Sequence, residues 1–468
     1  MLKISTISGL IFIFVIVPVR AETQADVAPL SLAEAKTLAK RSNPTLRAAQ
    51  ERLYQAELII DKAWTMVKPQ WSATGTYTHH NTGMDLTYPD VTSIGTSEAV
   101  CGPFWNPDVG FCFTEFDTRV LQKQDSFGFF SQITQPIFLA RAISTIKSAY
   151  QTYDLAKIST ENAQDYLLYT LEVAYYGALA ARKFVEIADN AVGIRQEHLR
   201  VARTKFEGGQ TPKITVLSAE ISLNRAEQDK KSAENSLALS KESIMLLIGQ
   251  RREFTLVQPA SPKQPSESMQ EFIEKAKTQR RDLTVARLNL ELAQEMEKDA
   301  WYRFLPSLVA TGNLMVSDVK GFTNEYVTWS VGLALSITIY DGGLRYTYLQ
   351  EAKSKIREAN IQIDQTRQNI ASEIRQLWLR LEMAEANLFK SRHSLELARE
   401  QVELAKVSFD AGATTNLEVL DANSVLFVSE INVAQEELNL QLAILRLQRS
   451  LSMYNPVGVF TTGATSFP

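Results

Sequence analysis

Cysteine and histidine are scarce in this chain, at two and four of 468 residues. That is too little for a Cys/His zinc site and excludes a disulfide-rich scaffold, so no metal is expected. Neither sign of charge dominates: 49 Lys and Arg stand against 53 Asp and Glu, a formal −4. No basic surface points to nucleic acid as a partner. HExxH, Walker and GxSxG motifs are all missing, as is any Cys/His dyad at a familiar spacing. The chain reads as a non-enzyme without a cofactor, and any transport it serves must draw its energy from another protein. Beyond the first 21 residues no segment approaches 18 apolar residues, which excludes a transmembrane helix in the rest of the chain. What remains is a globular composition, 45% apolar and 22% charged.

Residues 1–21 read as a signal peptide. Lys3 is a minimal positive start, Ile7–Val17 an apolar run, and Val19-Arg20-Ala21 a cleavage site with short residues where a peptidase reads them. The run is too short for an anchor spanning about 30 Å. Removing Lys3 and Arg20 takes the net charge from −4 to −6. An exported chain with no other apolar helix can enter a membrane only as strands.

The rest of the chain is written twice. At an offset of 237, Leu46/Leu283, Ala49/Ala286, Ala56/Ala293, Trp64/Trp301, Pro69/Pro306 and Gly75/Gly312 coincide. At an offset of 203, the stretch starting Phe206-Glu-Gly-Gly lies over the one starting Phe409-Asp-Ala-Gly. The offset shrinks because the first copy carries about 35 extra residues between Thr78 and Phe127. The two repeats span 22–250 and 268–451, with 251–267 as a linker and 452–468 as a tail.

Each repeat reads helix, strand, loop, strand, very long helix, turn, helix. Between Gly343 and Gly412 there is no Gly or Pro in 68 residues. Nothing there breaks a helix, which at 1.5 Å per residue runs roughly 100 Å. Ile356, Ala359, Ile363, Thr366 and Ile370 alternate at three and four. After one 4+4 step, Ile374, Leu377, Leu381, Ala384, Leu388, Ser391, Leu395, Ala398, Val402, Ala405 and Phe409 resume the alternation. That is a heptad seam with a stutter. The predicted long helices are about 141–206 and 343–409, and the return helices about 213–248 and 416–451. Strands are predicted at about 69–80, 126–138, 306–317 and 328–340. In the last, Trp329, Val331, Leu333, Leu335, Ile337 and Ile339 form an apolar face against small polar residues. Such lengths suit tilted membrane strands, although a soluble hairpin packed on helices has the same period. The signal peptide favours the outer membrane.

Four strands cannot close a barrel, and an open edge in lipid leaves unpaired backbone groups at several kcal/mol each. Several chains must therefore contribute. Two would make eight strands with a filled interior, whereas three would make twelve and leave a lumen.

With these residues in hand, the chain resembles the TolC-like outer-membrane efflux family over roughly 31–452. The most specific stretch is Phe409-Asp-Ala-Gly-Ala-Thr-Thr-Asn-Leu-Glu-Val-Leu-Asp-Ala. The resemblance implies a mainly α fold with a membrane β-barrel. A homotrimer would share a 12-stranded barrel, four strands from each chain, above a long coiled-coil α-barrel that crosses the periplasm. It also implies outer-membrane lipid around the strands, a periplasmic adaptor (membrane fusion) protein and an inner-membrane pump of resistance-nodulation-division or ABC type. The expected function is a trans-periplasmic exit conduit for efflux of small molecules or type I protein secretion. On that template 81–125 and 318–326 are outer loops, and 251–267 with the tail wraps the equator. A structural or adhesive coiled-coil envelope protein without a lumen is the alternative, and an inward diffusion porin would not need such long helices.

Glu418 and Asp421 stand three apart at a helix start. They suit the macrodipole there, while the resemblance places them at the pore aperture. Gly209 and Gly412 are expected as left-handed helix C-caps. With Phe206 and Phe409, the resemblance makes them tips where an adaptor docks. In the family's type member an arginine two residues past the second turn glycine bonds an aspartate six past the first. Here those positions are Thr414 and Thr215, so that charged latch is absent. Cys101 and Cys112, an isolated pair in an exported chain, read as one disulfide worth roughly 2–3 kcal/mol.

Overall fold

A computed structural model describes residues 28–89, 93–104, 107–113, 115–320 and 325–451. The predicted signal peptide, the tail from 452 and parts of the segments 81–125 and 318–326 lie outside the described residues. The first repeat consists of helices α1 (Leu32–Ser42) and α2 (Pro44–Trp64), strands β1 (Gln70–His79), β2 (Met84–Pro89), β3 (Phe116–Gln122) and β4 (Asp125–Phe138), then helices α3 (Ala140–Glu207) and α4 (Lys213–Ile248). The second consists of α5 (Met269–Gln279), α6 (Arg281–Tyr302), β5 (Ser307–Ser317), β6 (Val327–Ser336), α7 (Leu344–Asp410) and α8 (Asn416–Arg449). The two long helices have 68 and 67 residues. Among the described residues no helix is long and apolar enough to cross a membrane.

In space the chain divides differently from its repeats. Among the described residues, one unit gathers 28–43, Thr170–Lys263 and Ala386–Leu442; the other gathers Pro44–Tyr169, Gln264–Glu385 and 443–451. Each unit therefore takes pieces of both repeats.

The second unit is built on the duplicated residues. Leu46, Ala49, Ala56 and Ala63 are buried, and so are their mates Leu283, Ala286, Ala293 and Ala300. Alanine at these helical spacings lets neighbouring backbones approach closely, which is why the pairs coincide in the sequence. This unit also holds a four-stranded antiparallel sheet in the order β6-β5-β4-β1. The two repeats meet where Phe129 of β4 faces Val316 of β5. β1 and β6 are left as open edges, and β1 is exposed along its length. In the first unit, Tyr175 is fully buried and its hydroxyl accepts the Val257 N–H at 3.1 Å. That bond anchors the short parallel pairing of Pro29–Leu30 with Thr255–Leu256 inside the predicted linker.

Three sequence expectations need correction. The single entry helix of each repeat is two helices. In the first repeat Pro44 pushes Asn43 to ψ 123°, as proline does to the residue before it. Arg280, the repeat mate of Asn43, sits at ψ 131° without a following proline; its guanidinium is held by Asp282 at 2.8 Å and Glu373 at 2.7 Å. The last strand stops at Ser336, paired with Ser307, so Ile337 and Ile339 lie beyond the ladder. The partner at the next step is Pro306, which has no N–H to give. Residues 81–125, read as loop, contain the antiparallel ribbon β2–β3, and a disulfide joins Cys101 to Cys112 with Cα atoms 5.8 Å apart.

Candidate functional site: the helical turns of the first unit

The ends of α3 and α7 and the starts of α4 and α8 all belong to the first unit. Both helix ends close the same way. Gly209 (φ 73°) and Gly412 (φ 72°) adopt the left-handed conformation that side chains disfavour. Gly209 N–H donates to Phe206 O and Gln210 N–H to Lys205 O, at 2.9 and 2.8 Å. Gly412 N–H donates to Phe409 O and Ala413 N–H to Ser408 O, at 3.0 and 2.8 Å. This paired pattern satisfies helix-end carbonyls that would otherwise lack partners. Phe206 is exposed, whereas Phe409 is half-buried beneath Lys205, whose Nζ lies 4.2 Å from the ring centre.

Glu418 and Asp421 are both exposed on the first turns of α8, and between them Val419 is buried. Ala422 and Asn423 are buried as well, so α8 turns an apolar side inward and its acids outward. Thr215 and Thr414 are half-buried. The Thr414 hydroxyl has no hydrogen-bond partner, and neither has that of Thr211, its mate in the other repeat. On β6, Trp329, Val331, Leu333 and Leu335 are 68–76% exposed and form one continuous apolar stripe.

Sequence reasoning missed a polar set packed beneath the turns. His198 of α3 donates from Nε2 to Asn416 Oδ1 at 2.7 Å. Arg195, one turn earlier and 8% exposed, donates to Ser424 Oγ at 3.2 Å. Neither pair recurs at its repeat mate, so no periodic signal announced it. Burial lowers the His198 pKa, assisted by the cations of Arg195 and Lys205 and opposed by the Asn416 bond. The fold therefore favours the neutral imidazole. A depressed folded value contributes stability above the unfolded value of about 6.5, and that stability is lost as pH falls below it. Hydrogen-exchange protection at 193–223 and 406–423, corrected for the intrinsic pH dependence of exchange, should fall between pH 7 and 5.5, and His198→Gln should remove that loss. An unchanged pH dependence in the variant would contradict it.

Among the described residues no group of three or more His, Cys, Asp or Glu side chains is arranged to hold a metal ion. The model of the family described as "Outer membrane efflux protein" matches residues 36–250 and 272–452. The outer membrane protein TolC of Vibrio cholerae is 24% identical over 313 residues, covering 64% of this chain and 71% of that protein. The alkaline protease secretion protein AprF of Pseudomonas aeruginosa is 22% identical over 335 residues, covering 70% and 69%. In fold, the crystal structure of CusC is similar at a TM-score of 0.71, with 16% identity and coverage of 91% and 92%. VceC from Vibrio cholerae is similar at 0.66, with 16% identity and coverage of 90% and 95%. The duplicated sequence, the paired helical turns, the four-stranded sheet and a family match across most of its length together make the chain a member of the outer membrane efflux protein family.

Proposed function

We propose that three copies of this chain close a 12-stranded barrel in the outer membrane and continue it inward as an α-helical tube, forming an exit conduit for efflux of small molecules or for type I secretion. The observation that carries this reading is the four-stranded sheet with two open edges and the apolar stripe of β6. In lipid those edges must be paired by other chains. A second apolar row on α7, with Leu397, Leu404 and Val407 exposed, supports the same reading, because it lies off the buried seam and needs a neighbouring helix to cover it.

In this arrangement Glu418 and Asp421 face the pore aperture, and the turns at Phe206, Gly209, Phe409 and Gly412 receive a periplasmic adaptor. An inner-membrane pump of resistance-nodulation-division or ABC type supplies the energy. With threonine at 215 and 414, closure rests on helix packing and on contacts such as that of Arg195 with Ser424.

The test is planar-bilayer conductance of the purified protein, combined with its mass in detergent. A trimer that conducts steadily is the expected result. A stable monomer or dimer would end the barrel argument, and a trimer without current would favour a structural envelope role.

A further inference from the structure

In the second unit, where α6 begins and α8 ends, lies an open cavity of about 700 Å³. Its wall draws on α3 (Tyr166, Tyr169), α7 (Glu373, Leu377) and α8 (Arg446, Arg449). The junction of α5 with α6 adds Arg280, Arg281 and Asp282. The volume falls within the range of small-molecule sites, about 300–1,000 Å³.

Four arginines meet here, and they are of two kinds. The inner pair is engaged by carboxylates. Arg280, its side chain 15% exposed, is held by Asp282 at 2.8 Å and Glu373 at 2.7 Å. Arg281, 13% exposed, is paired with Asp165 and lies 3.5 Å from Glu161. The outer pair, Arg446 and Arg449, is exposed and stands three apart at the end of α8, so both side chains leave the same side of the helix. Among the described residues neither outer guanidinium has a hydrogen-bond or ion-pair partner. That of Arg449 is nevertheless fixed against the wall: its carbon lies 4.7 Å from the ring centre of Tyr169 and 5.1 Å from that of Tyr166. Stacking on a ring face leaves the N–H donors of a guanidinium unspent.

Summed over the cavity the charges nearly cancel, but in place they do not. Both oxygens of Asp282 and one of Glu373 already accept from Arg280, whereas the donors of Arg446 and Arg449 are open. The segment that follows α8 brings no counterion, since residues 452–468 contain no Asp or Glu. Arginine suits the negative end of α8, yet the positive end of α6 meets the same cavity and offsets it, so the side chains set the local sign.

We propose that this cavity is a binding site for a small organic anion, its oxyanion group held by Arg446 and Arg449 and its apolar body laid against Tyr166, Tyr169 and Leu377. The site stands on one chain's own residues and does not depend on the conduit reading. Guanidinium forks match a carboxylate in plane and charge, which makes a flat aromatic carboxylate the fitting probe.

That probe is 2-naphthoate, and the control is 2-naphthamide, with nearly the same outline and no charge. Both are titrated calorimetrically at neutral pH into the full-length protein in detergent, with the heat of empty micelles subtracted. Naphthoate should saturate at one molecule per chain, bind at least about tenfold more tightly than the amide, and weaken as salt rises. Arg446→Gln should weaken naphthoate about tenfold and leave the amide unchanged; because Arg446 is exposed and unpartnered, nothing in the fold rests on it. Arg449→Gln should cost as much or more. Arg357→Gln, which removes the same charge from an exposed position of α7 away from this wall, should leave naphthoate affinity unchanged. Equal affinity for the two probes, unchanged affinity in Arg446→Gln and Arg449→Gln, or no saturable heat beyond micelles would overturn the proposal. An equal loss in Arg357→Gln would overturn it too, by reducing the effect to general attraction toward a cationic surface.

Discussion

In the proposed channel, replacing both Glu418 and Asp421 by alanine should remove most of the cation preference and of the block by multivalent cations, while folding and trimer assembly proceed as before. The two acids are exposed on α8, three residues apart, so their side chains lie within about 60° of each other around the helix. Threefold symmetry would gather six carboxylates around one axis. A ring of that kind raises the local cation concentration by about tenfold or more, and rings of Asp and Glu confer cation preference on channels. Salt should weaken the block in the unsubstituted protein, because about 10 Å of screening at 0.1 M shortens the reach of the ring. Reversal potentials in a salt gradient and titration with a multivalent cation from the periplasmic side measure both effects. The side chains packed behind the acids, Val419, Ala422 and Asn423, are untouched by the substitutions, so the helix has no reason to move. If both measurements stay unchanged, the acids point away from the pore and serve only the helix start.

The second large effect is structural. Gly249→Val should destabilise the first unit by about 3 kcal/mol, combining left-handed backbone strain with steric overlap. Gly249 ends α4 at φ 69°, and a Cβ there would lie 2.5 Å from Ser42 O, a backbone atom that cannot swing aside. The contact is tight because two bonds draw the strands of chain together: Asn43 Nδ2 donates to Leu247 O at 2.9 Å and Gln250 Nε2 to Ser42 Oγ at 3.2 Å. Gly412 is the internal control, with φ 72° but nothing within 4 Å of a built Cβ. Gly412→Ala pays only the backbone term, about 1–2 kcal/mol. Thermal unfolding followed by circular dichroism should show a clearly larger drop for Gly249→Val. Equal drops would mean that the α1–α4 junction gives way freely and is not a packed contact.

The helical seam shows how far periodicity reaches. Every seam position from Ile356 to Phe409 is buried or half-buried, including those flanking the stutter at Ile370 and Ile374. The turn glycines and the four strands of the sheet were legible for a similar reason, since a left-handed cap or a two-residue alternation is written within a few neighbouring residues. The polar set under the turns was not. Asn423 sits beside seam-type residues and looks like an ordinary polar interruption, and His198 meets Asn416 across 218 positions of sequence.

Local grammar therefore decided the repeat, the lengths of α3 and α7, the turns at Gly209 and Gly412, and the hairpins, because each is stabilised mainly by residues near in sequence. Partners far along the chain decided the rest. The break at Arg280 comes with ion pairs to Asp282 and to Glu373, and only the first of these is local. The strand ended at Ser336 because Pro306, thirty positions upstream, was its neighbour. β4 joined β5 across nearly two hundred residues, making one sheet of two repeats. A cavity beneath the turns, lined by His198 of α3, Thr211 of the first turn, Thr215 of α4, Phe409 of α7 and Asn416 of α8, arose where four helices and a turn converge without filling the space between them. No window of sequence contains that geometry, since packing is set by which surfaces meet and local pattern only says which surfaces are apolar.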